Sequence, residues 1–410
     1  EDRAVRRANL ASIYDSAGGR EIAFREASRA VRNDPANYSA QLFLANAYDQ
    51  LRDPLRVNLR YETPWSGSLL LARLLAPANA GAIAPSVGLG EYTALFEPQR
   101  FTLQGEAVVL DTGEWRQTLA HTGNFGASNY ALEVTNHRFP GEGVNQDFAR
   151  DEVTAVVSHQ FTPDDTVVAS AYYENTRGGD VRVGVPAGLE DPALRFRDKQ
   201  LPLLTAGYRH HWRPGSDTLM LAARLEDESS QDNSRSTIPA LVQEPDGRYT
   251  KFPYNPAVFG ADINRIPGGT ASRNRFDLYH FEIAHLEGGE RLSLQVGARA
   301  QRGTFKARSR VIPYITDPNL ILLMANPSDT AVHETFQRES AYGYLTWKFA
   351  PGWSALAGVS GDRVEYPSNL FTIPLTPGSA ERNRVSRKVG LVWEPGERWS
   401  LRAAAAECIG

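Results

Sequence analysis

Charged side chains recur at alternate positions inside apolar segments of this sequence. Seven of them stand opposite the apolar residues of their segments: Arg209, Arg224, Glu226, Glu282, Arg299, Asp362 and Lys388. If the segments are strands, alternate residues point to opposite faces, so these seven charges would lie on the polar faces. In a barrel those faces would line the lumen and set its electrostatics, whereas in a soluble sheet they would meet solvent.

The sequence contains no residue arrangement that is typical of an enzyme. It has no Gly-x-Ser-x-Gly, no His-Glu-x-x-His and no phosphate-binding glycine-rich loop. His210 and His211 are adjacent, so on a strand they would point to opposite faces and could not share a metal ion. The single cysteine, Cys408, excludes an internal disulfide framework and a cysteine metal cluster. We therefore expect a protein without enzymatic activity and without a cofactor; calcium binding in the long loops stays open.

The charged positions belong to segments with a period of two. From Leu292 to Ala300, for example, Leu, Val and Ala alternate with Ser, Gln, Gly and Arg. From residue 100 onward this pattern predicts about 13 strands. They are expected near 100–110, 115–123, 127–138, 148–161, 166–176, 199–212, 218–228, 275–286, 291–305, 336–349, 353–366, 383–394 and from 398 onward.

Loop lengths distinguish a barrel from a soluble sheet. Turns rich in Pro and Gly, such as 213–216 and 350–352, alternate along the chain with long polar segments. The long loops are predicted near 177–198, 229–274, 306–335 and 367–382. Aromatic residues lie beside the short turns: Phe161, Trp212, Trp347, Phe349, Trp353, Trp393 and Trp399. Short turns at one end, long loops at the other and an aromatic girdle are typical of an antiparallel transmembrane β-barrel in the outer membrane.

The N-terminal part of the chain has a helical pattern with a repeat. The triplet Leu10, Ala11 and Tyr14 recurs 34 residues later as Leu44, Ala45 and Tyr48. Between the two triplets, a predicted helix carries three alanines on one face and ends before a proline: Ala23, Ala27, Ala30 and Pro35. This pattern resembles the tetratricopeptide repeat over roughly residues 4–52. The resemblance implies a surface that binds a protein or peptide.

These patterns divide the chain into three expected parts. Residues 1–52 would form tetratricopeptide-like repeats, 53–99 a connector with one amphipathic helix near 66–75, and 100–410 the barrel. That helix could dock at the barrel mouth or pack on the last repeat. If the short turns are periplasmic, counting strands back from them places the start of the first strand, and therefore the repeats, in the periplasm as well. Both ends of the chain are expected to be truncated, because residues 1–7 already have a helical pattern and residues 403–410 stop inside a predicted strand.

Three functions remain open at the level of the sequence. The order of helical repeats and barrel resembles exopolysaccharide exporters in architecture, which implies outer-membrane transport of a solute or polymer. The long loops and large strand number resemble a TonB-dependent receptor, which implies ligand uptake, although no plug domain is recognisable before the first strand. A soluble or surface-attached β-rich binding protein is the third possibility. The net charge of -4 and the absence of a basic run argue against nucleic acid as a partner, and the expected partners are outer-membrane lipid, a periplasmic protein or peptide and an unidentified cargo.

Overall fold

The structure of the chain is a computed structural model. It describes residues 7, 10–11, 13–14, 19–51, 64–76, 101–181, 191–243, 245–251, 265–313, 320–322, 329–370, 375–396 and 399–407. Cys408 and most of the predicted connector lie outside these residues.

Antiparallel strands build most of the described chain, as the period of two predicts. They are β1 (Phe101–Val109), β2 (Trp115–Phe125), β3 (Ser128–Phe139), β4 (Phe148–Gln160), β5 (Asp165–Gly178), β6 (Leu194–Arg213), β7 (Ser216–Gln243), β8 (Tyr249–Lys251), β9 (Arg265–Gly288), β10 (Leu292–Pro313), β11 (Leu320–Leu322), β12 (Thr330–Ala350), β13 (Trp353–Pro367), β14 (Ser379–Gly396) and β15 (Trp399–Ala406). Thirteen of them form one continuous meander in the order β1 to β7, β9, β10 and β12 to β15, while β8 and β11 pair with the far end of β7. The prediction of about 13 antiparallel strands is confirmed.

The strands are longer than the sequence pattern predicted. β7 has 28 residues and β9 has 24, although about 9–11 residues cross a bilayer as a strand. Their ladder continues to Pro239 and Arg265, inside the segment 229–274 that was predicted as a loop. Likewise, β10 and β12 remain paired into the predicted loop 306–335. The prediction was wrong there because backbone hydrogen bonds hold two strands together even where both faces are polar.

Tight turns lie at one end of the sheet. Gly215 and Gly352 adopt positive φ angles of 80° and 73° in two of these turns, a conformation that favours glycine. A Cβ on Gly352 would lie 2.3 Å from the backbone oxygen of Glu394, so the close approach of the neighbouring hairpin also requires glycine. We call this end the short-turn end.

Within the described part of the chain, three complete helices precede the sheet: α1 (Arg20–Asn33), α2 (Tyr38–Leu51) and α3 (Pro64–Leu75). Ala27 and Ala30 of α1 are fully buried against α2, in a cluster that includes Phe43 and Leu44. Leu42 and Ala45 of α2 instead contact α3, which therefore packs on the second helix. No described helix has the length and apolar character needed to cross a membrane.

The helices do not establish the tetratricopeptide resemblance. Three short helices, each of 12 or 14 residues, are described, and they are too few to define a repeat array. The alanine face of α1 can be explained without a repeat, because small side chains let two helices pack closely in any helical hairpin. The expected repeat segment is thus reduced to three packed N-terminal helices.

A larger side chain at Ala30 should disturb this packing. Ala30→Leu is expected to destabilise the helical segment by about 1–3 kcal/mol, because extra methylenes must enter a filled interface. Hydrogen exchange of α1 and α2 would show this as lost protection. Arg25→Leu, on the exposed side of α1, is the matched control and should leave protection unchanged.

Candidate transport site on the inner face

Helix α3 defines the inner face of the sheet. Leu74 and Leu75 pack against a layer of buried side chains from four strands, namely Val156, Val168, Leu219 and Leu286. A Cβ on Gly207 of β6 would lie 2.5 Å from Leu74 Cδ2, so glycine lets the helix approach the strand closely. The helix predicted near 66–75 therefore lies against the barrel wall and also packs on α2.

Arg209 fastens the end of α3 to the sheet. Its Nη1 donates to the backbone oxygen of Leu75 at 3.1 Å, and its Nε donates to Asp217 Oδ1 at 2.7 Å. Leu75 is the last residue of α3, so its carbonyl has no donor within the helix and a cation there is favourable. Helix α3 itself carries one buried cation, Arg73; burial lowers the pKa of Arg73 to about 10, while Glu133 nearby opposes this shift.

The turn between α1 and α2 lies at the short-turn end. Asp34, Pro35 and Ala36 border a small cavity with Gly215 and Gly288. Arg32 Nη2 donates to Glu394 Oε1 of β14 at 2.6 Å. Burial lowers the pKa of Arg32, and Glu394 partly offsets this effect. The helices are thus anchored to the wall from α1 as well as from α3.

Beyond α3, a cavity of about 600 Å³ opens between the helix and the inner face. One side is apolar, with Leu70, Leu71 and Leu74 from α3 and Leu219 and Leu221 from β7. The other side is polar and comes from β9, β10 and β12 to β14. Its side chains include His280, Glu282, Gln295, Arg299, Arg338, Ser340, Tyr342, Tyr344, Ser360, Asp362, Ser386 and Lys388.

Two charge clusters organise the polar side. Glu282 accepts hydrogen bonds from Arg299 Nε at 3.1 Å and from Tyr342 Oη at 2.6 Å. Asp362 accepts from Arg338 Nη2 at 2.9 Å and from Ser340 Oγ at 2.5 Å. Both carboxylates are therefore neutralised and held by donors from neighbouring strands.

Removal of the negative charge of Glu282 should lower the stability of the barrel. Glu282→Gln is expected to destabilise the barrel by roughly 1–3 kcal/mol, because Arg299 and Tyr342 lose a charged acceptor. Urea unfolding of the protein in lipid vesicles would measure the loss, with the exposed turn variant Glu290→Gln as the control. Adding Arg299→Gln should recover part of the stability, since no uncompensated charge then remains; no recovery would contradict the pairing.

Five of the seven predicted lumen residues share the inner face. Arg209 pairs with the inward-facing Leu219 across β6 and β7. Further strand pairing places Glu282, Arg299 and Asp362 on the same face. Lys388 lies on this face at the cavity. The sequence analysis did not single out Tyr342, Tyr344 or Ser386, although they occupy the same alternate phase of β12 and β14.

The placement of Arg224 and Glu226 was wrong. They pair with Tyr279 and Asp277 on the outer face, and Arg224 contacts Asp277 at 3.2 Å. The alternation in β7 was assigned in the reverse sense, because its leucines seemed to require lipid. In the structure these leucines point inward: α3 covers Leu219, Ala223 and Leu225 pack against opposing apolar side chains, and Leu221 lines the cavity.

The seven predicted girdle aromatics lie on the outer face beside the short turns. Trp353 stacks on Trp393 with ring centroids 5.2 Å apart, and Phe349 contacts both Trp347 and Trp353. Trp212 and Trp399 are 64 % and 72 % exposed, as expected for rings that meet something other than this chain. Above them the outer face carries exposed aliphatic residues such as Val296, Val359 and Val389.

An antiparallel meander with an apolar outer face and a polar inner face around a cavity defines the class of transmembrane β-barrels. The chain belongs to the family described as TonB dependent receptor-like, beta-barrel, which matches residues 31–409. Members of this family are transporters of the outer membrane rather than enzymes. No curated protein sequence is significantly similar to the chain.

Solved structures of this class share the fold. The copper transporter OprC aligns over 76 % of this chain and 46 % of its own, with a TM-score of 0.52 and 14 % identity. The siderophore receptor PiuA from Acinetobacter baumannii aligns over 75 % and 49 %, with a TM-score of 0.50 and 14 % identity. The ferric citrate transporter FecA in its unliganded form aligns over 74 % and 43 %, with a TM-score of 0.52 and 12 % identity. The chain therefore spans less than half the length of each of these proteins.

Proposed function

We propose that this protein moves a solute across the outer membrane along the inner face of its barrel. The observation that carries the proposal is the cavity of about 600 Å³ between α3 and the polar faces of β9, β10 and β12 to β14. The membership in a family of outer-membrane transporters supports it. The inner-face charges Arg209, Glu282, Arg299, Asp362 and Lys388 would set the electrostatics of the path.

Helix α3 would gate this path. It lies against the wall and borders the cavity, so a solute that crosses the barrel must pass it or displace it. Its contacts with the wall combine the apolar packing of Leu74 and Leu75 with the hydrogen bond from Arg209 to the Leu75 carbonyl, while Arg32 of α1 pairs with Glu394. We propose that they form a docked state from which the helix can be released.

The orientation in the membrane is also part of the proposal. The short turns and the girdle would lie on the periplasmic side. The opposite ends of the long strands would project into the external medium, and the helices would lie at the periplasmic mouth. In this arrangement α1 and α2 would support the gating helix α3 at the mouth, and the strands of the meander would form the barrel. Exposed side chains of α1, such as Glu21, Ile22 and Arg25, would be available to a periplasmic protein or peptide.

The test is insertion and flux. Purified full chain, refolded into liposomes, should acquire protease resistance in its barrel and should accelerate the efflux of a trapped small sugar. Recovery of the folded chain in the soluble fraction, with no insertion and no efflux, would contradict the proposal and favour a soluble β-rich binding protein.

A further inference from the structure

Among the described residues that line the cavity, Lys388 is the one Lys or Arg for which no contact with a carboxylate is found. Arg299 and Arg338 each contact a carboxylate, and Glu407 on the cavity wall accepts the backbone N–H of Arg387 at 3.3 Å. By contrast, the described contacts of Lys388 are with Tyr344. Its Nζ donates to Tyr344 Oη at 3.3 Å and lies 5.1 Å from the centre of that ring.

The hydroxyl group of Ser386 lies two residues before Lys388, on the same face of β14. Ser386 is 4 % exposed, and its Oγ has no hydrogen-bond partner among the described residues. Burying a hydroxyl without a partner costs free energy, which a hydrogen bond to a molecule in the cavity would recover. Ser386 and Lys388 both line the cavity together with Ser360, which pairs with Ser386 across the strands.

We propose that Lys388, Ser386 and Tyr344 bind the carboxylate end of a small hydroxylated acid, and that this acid is a solute of the transport path. The inference rests on the proposed function for its transport role, but the binding step can be tested separately. Lys388 supplies the charge, and the hydroxyls of Ser386 and Tyr344 supply uncharged donors beside it. A carboxylate that accepts from an ammonium group is held about twice as strongly as a neutral oxygen.

The rest of the cavity defines the body of the ligand. Gln295, Ser360 and Tyr342 offer donors and acceptors suited to hydroxyl groups, while Leu70 and Leu71 face them with apolar surface. A volume of about 600 Å³ admits a molecule of six to twelve carbons. Glu282 and Asp362 are already paired with arginines, so these two carboxylates offer little to a cationic ligand.

The experiment compares two probes that differ in one group. D-gluconate has the required carboxylate, and D-sorbitol carries a CH₂OH in its place with the same chain of hydroxyls. Binding of each to the full chain in detergent micelles is measured by titration calorimetry. We expect gluconate to bind at least about tenfold more tightly than sorbitol, as one charge-assisted contact predicts.

Variants locate the site. Lys388→Gln should reduce gluconate affinity about tenfold and abolish the preference over sorbitol, whereas Lys388→Arg should retain most of it. Ser386→Ala should weaken gluconate about threefold, the effect of one lost neutral hydrogen bond. Arg387→Gln is the matched control, because it removes a cation from the next residue, which lies on the outer face opposite Val359.

Each outcome either supports or overturns the proposed carboxylate site. Equal affinity for the two probes, or a loss in Arg387→Gln as large as that in Lys388→Gln, overturns the assignment of the carboxylate site. Thermal unfolding of each variant separates lost binding from lost folding, and Lys388→Arg serves if Lys388→Gln does not fold. If gluconate binds as expected but no solute crosses liposomes, the site stands and the transport function falls; efflux without gluconate binding has the opposite meaning.

Discussion

Val296→Arg is expected to destabilise the membrane-inserted barrel by about 2–4 kcal/mol, the cost of a charge on the lipid face near the bilayer midplane. Val296 is the fifth residue of β10, counted from the short turn, and about 9–11 residues carry a strand across the hydrocarbon core. Its side chain is 39 % exposed on the outer face. Urea titration of folding into phospholipid vesicles, followed by Trp fluorescence, would measure the change.

A control at the same depth tests the assignment of the face. Val296 pairs with Gly343 and Gly343 with Val359, so Ser360 lies in nearly the same row but points into the cavity. Ser360→Arg should cost far less than Val296→Arg, because its charge meets polar groups and water instead of lipid. If both variants insert and fold like the wild type, the outer face of β10 does not contact lipid.

The second large effect concerns α3. Leu74 Cγ lies 3.2 Å from the position of a Cβ at residue 207, so cysteines at these two positions should form a disulfide between the helix and β6. In the double variant Leu74→Cys, Gly207→Cys, with Cys408→Ser to prevent mispairing, oxidation should reduce solute efflux nearly to the rate of protein-free liposomes. Reduction with dithiothreitol should restore it, because α3 is then free to leave the wall.

The serine version of the same pair is the control. Leu74→Ser with Gly207→Ser introduces comparable side chains but no cross-link, so its efflux should not respond to oxidant or reductant. Complete cross-linking with unchanged efflux would show that solute passes beside the docked helix. In that case the path runs through the cavity alone and α3 is a fixed part of the wall.

Much of the barrel could be predicted from the order of residue types. Each strand of the meander has a period of two, and proline and glycine stand at the short turns, so strand number and direction followed from local pattern. The position of the aromatic residues beside those turns could also be read from the sequence, and strand pairing brings Trp347, Trp353 and Trp393 together; their role as a membrane girdle stays a prediction. The long loops did not follow, since polar strands beyond the membrane have no apolar face to mark them.

Which face is inner could not be read from one strand. In β7 the leucines alternate with Arg224 and Glu226, and either set could face lipid when the strand is viewed alone. Only the packed structure decides, because Leu74 and Leu75 of α3 cover Leu219 from inside. An apolar stripe on a strand indicates that something apolar covers it. Whether the cover is lipid or protein depends on residues that are distant in the chain.

The sequence by itself determined the class of fold, the order of its strands and the absence of a recognisable catalytic motif, because these depend on spacing along the chain. The tertiary structure decided the shape of the cavity, its charge pairs and the position of Lys388 beside Tyr344. Glu282, Arg299 and Asp362 come from three different strands, and only their register places them within one site. The physical reason is that periodicity fixes the direction of a side chain within its strand, whereas its partners are fixed by pairing between strands and by the helix packed against them.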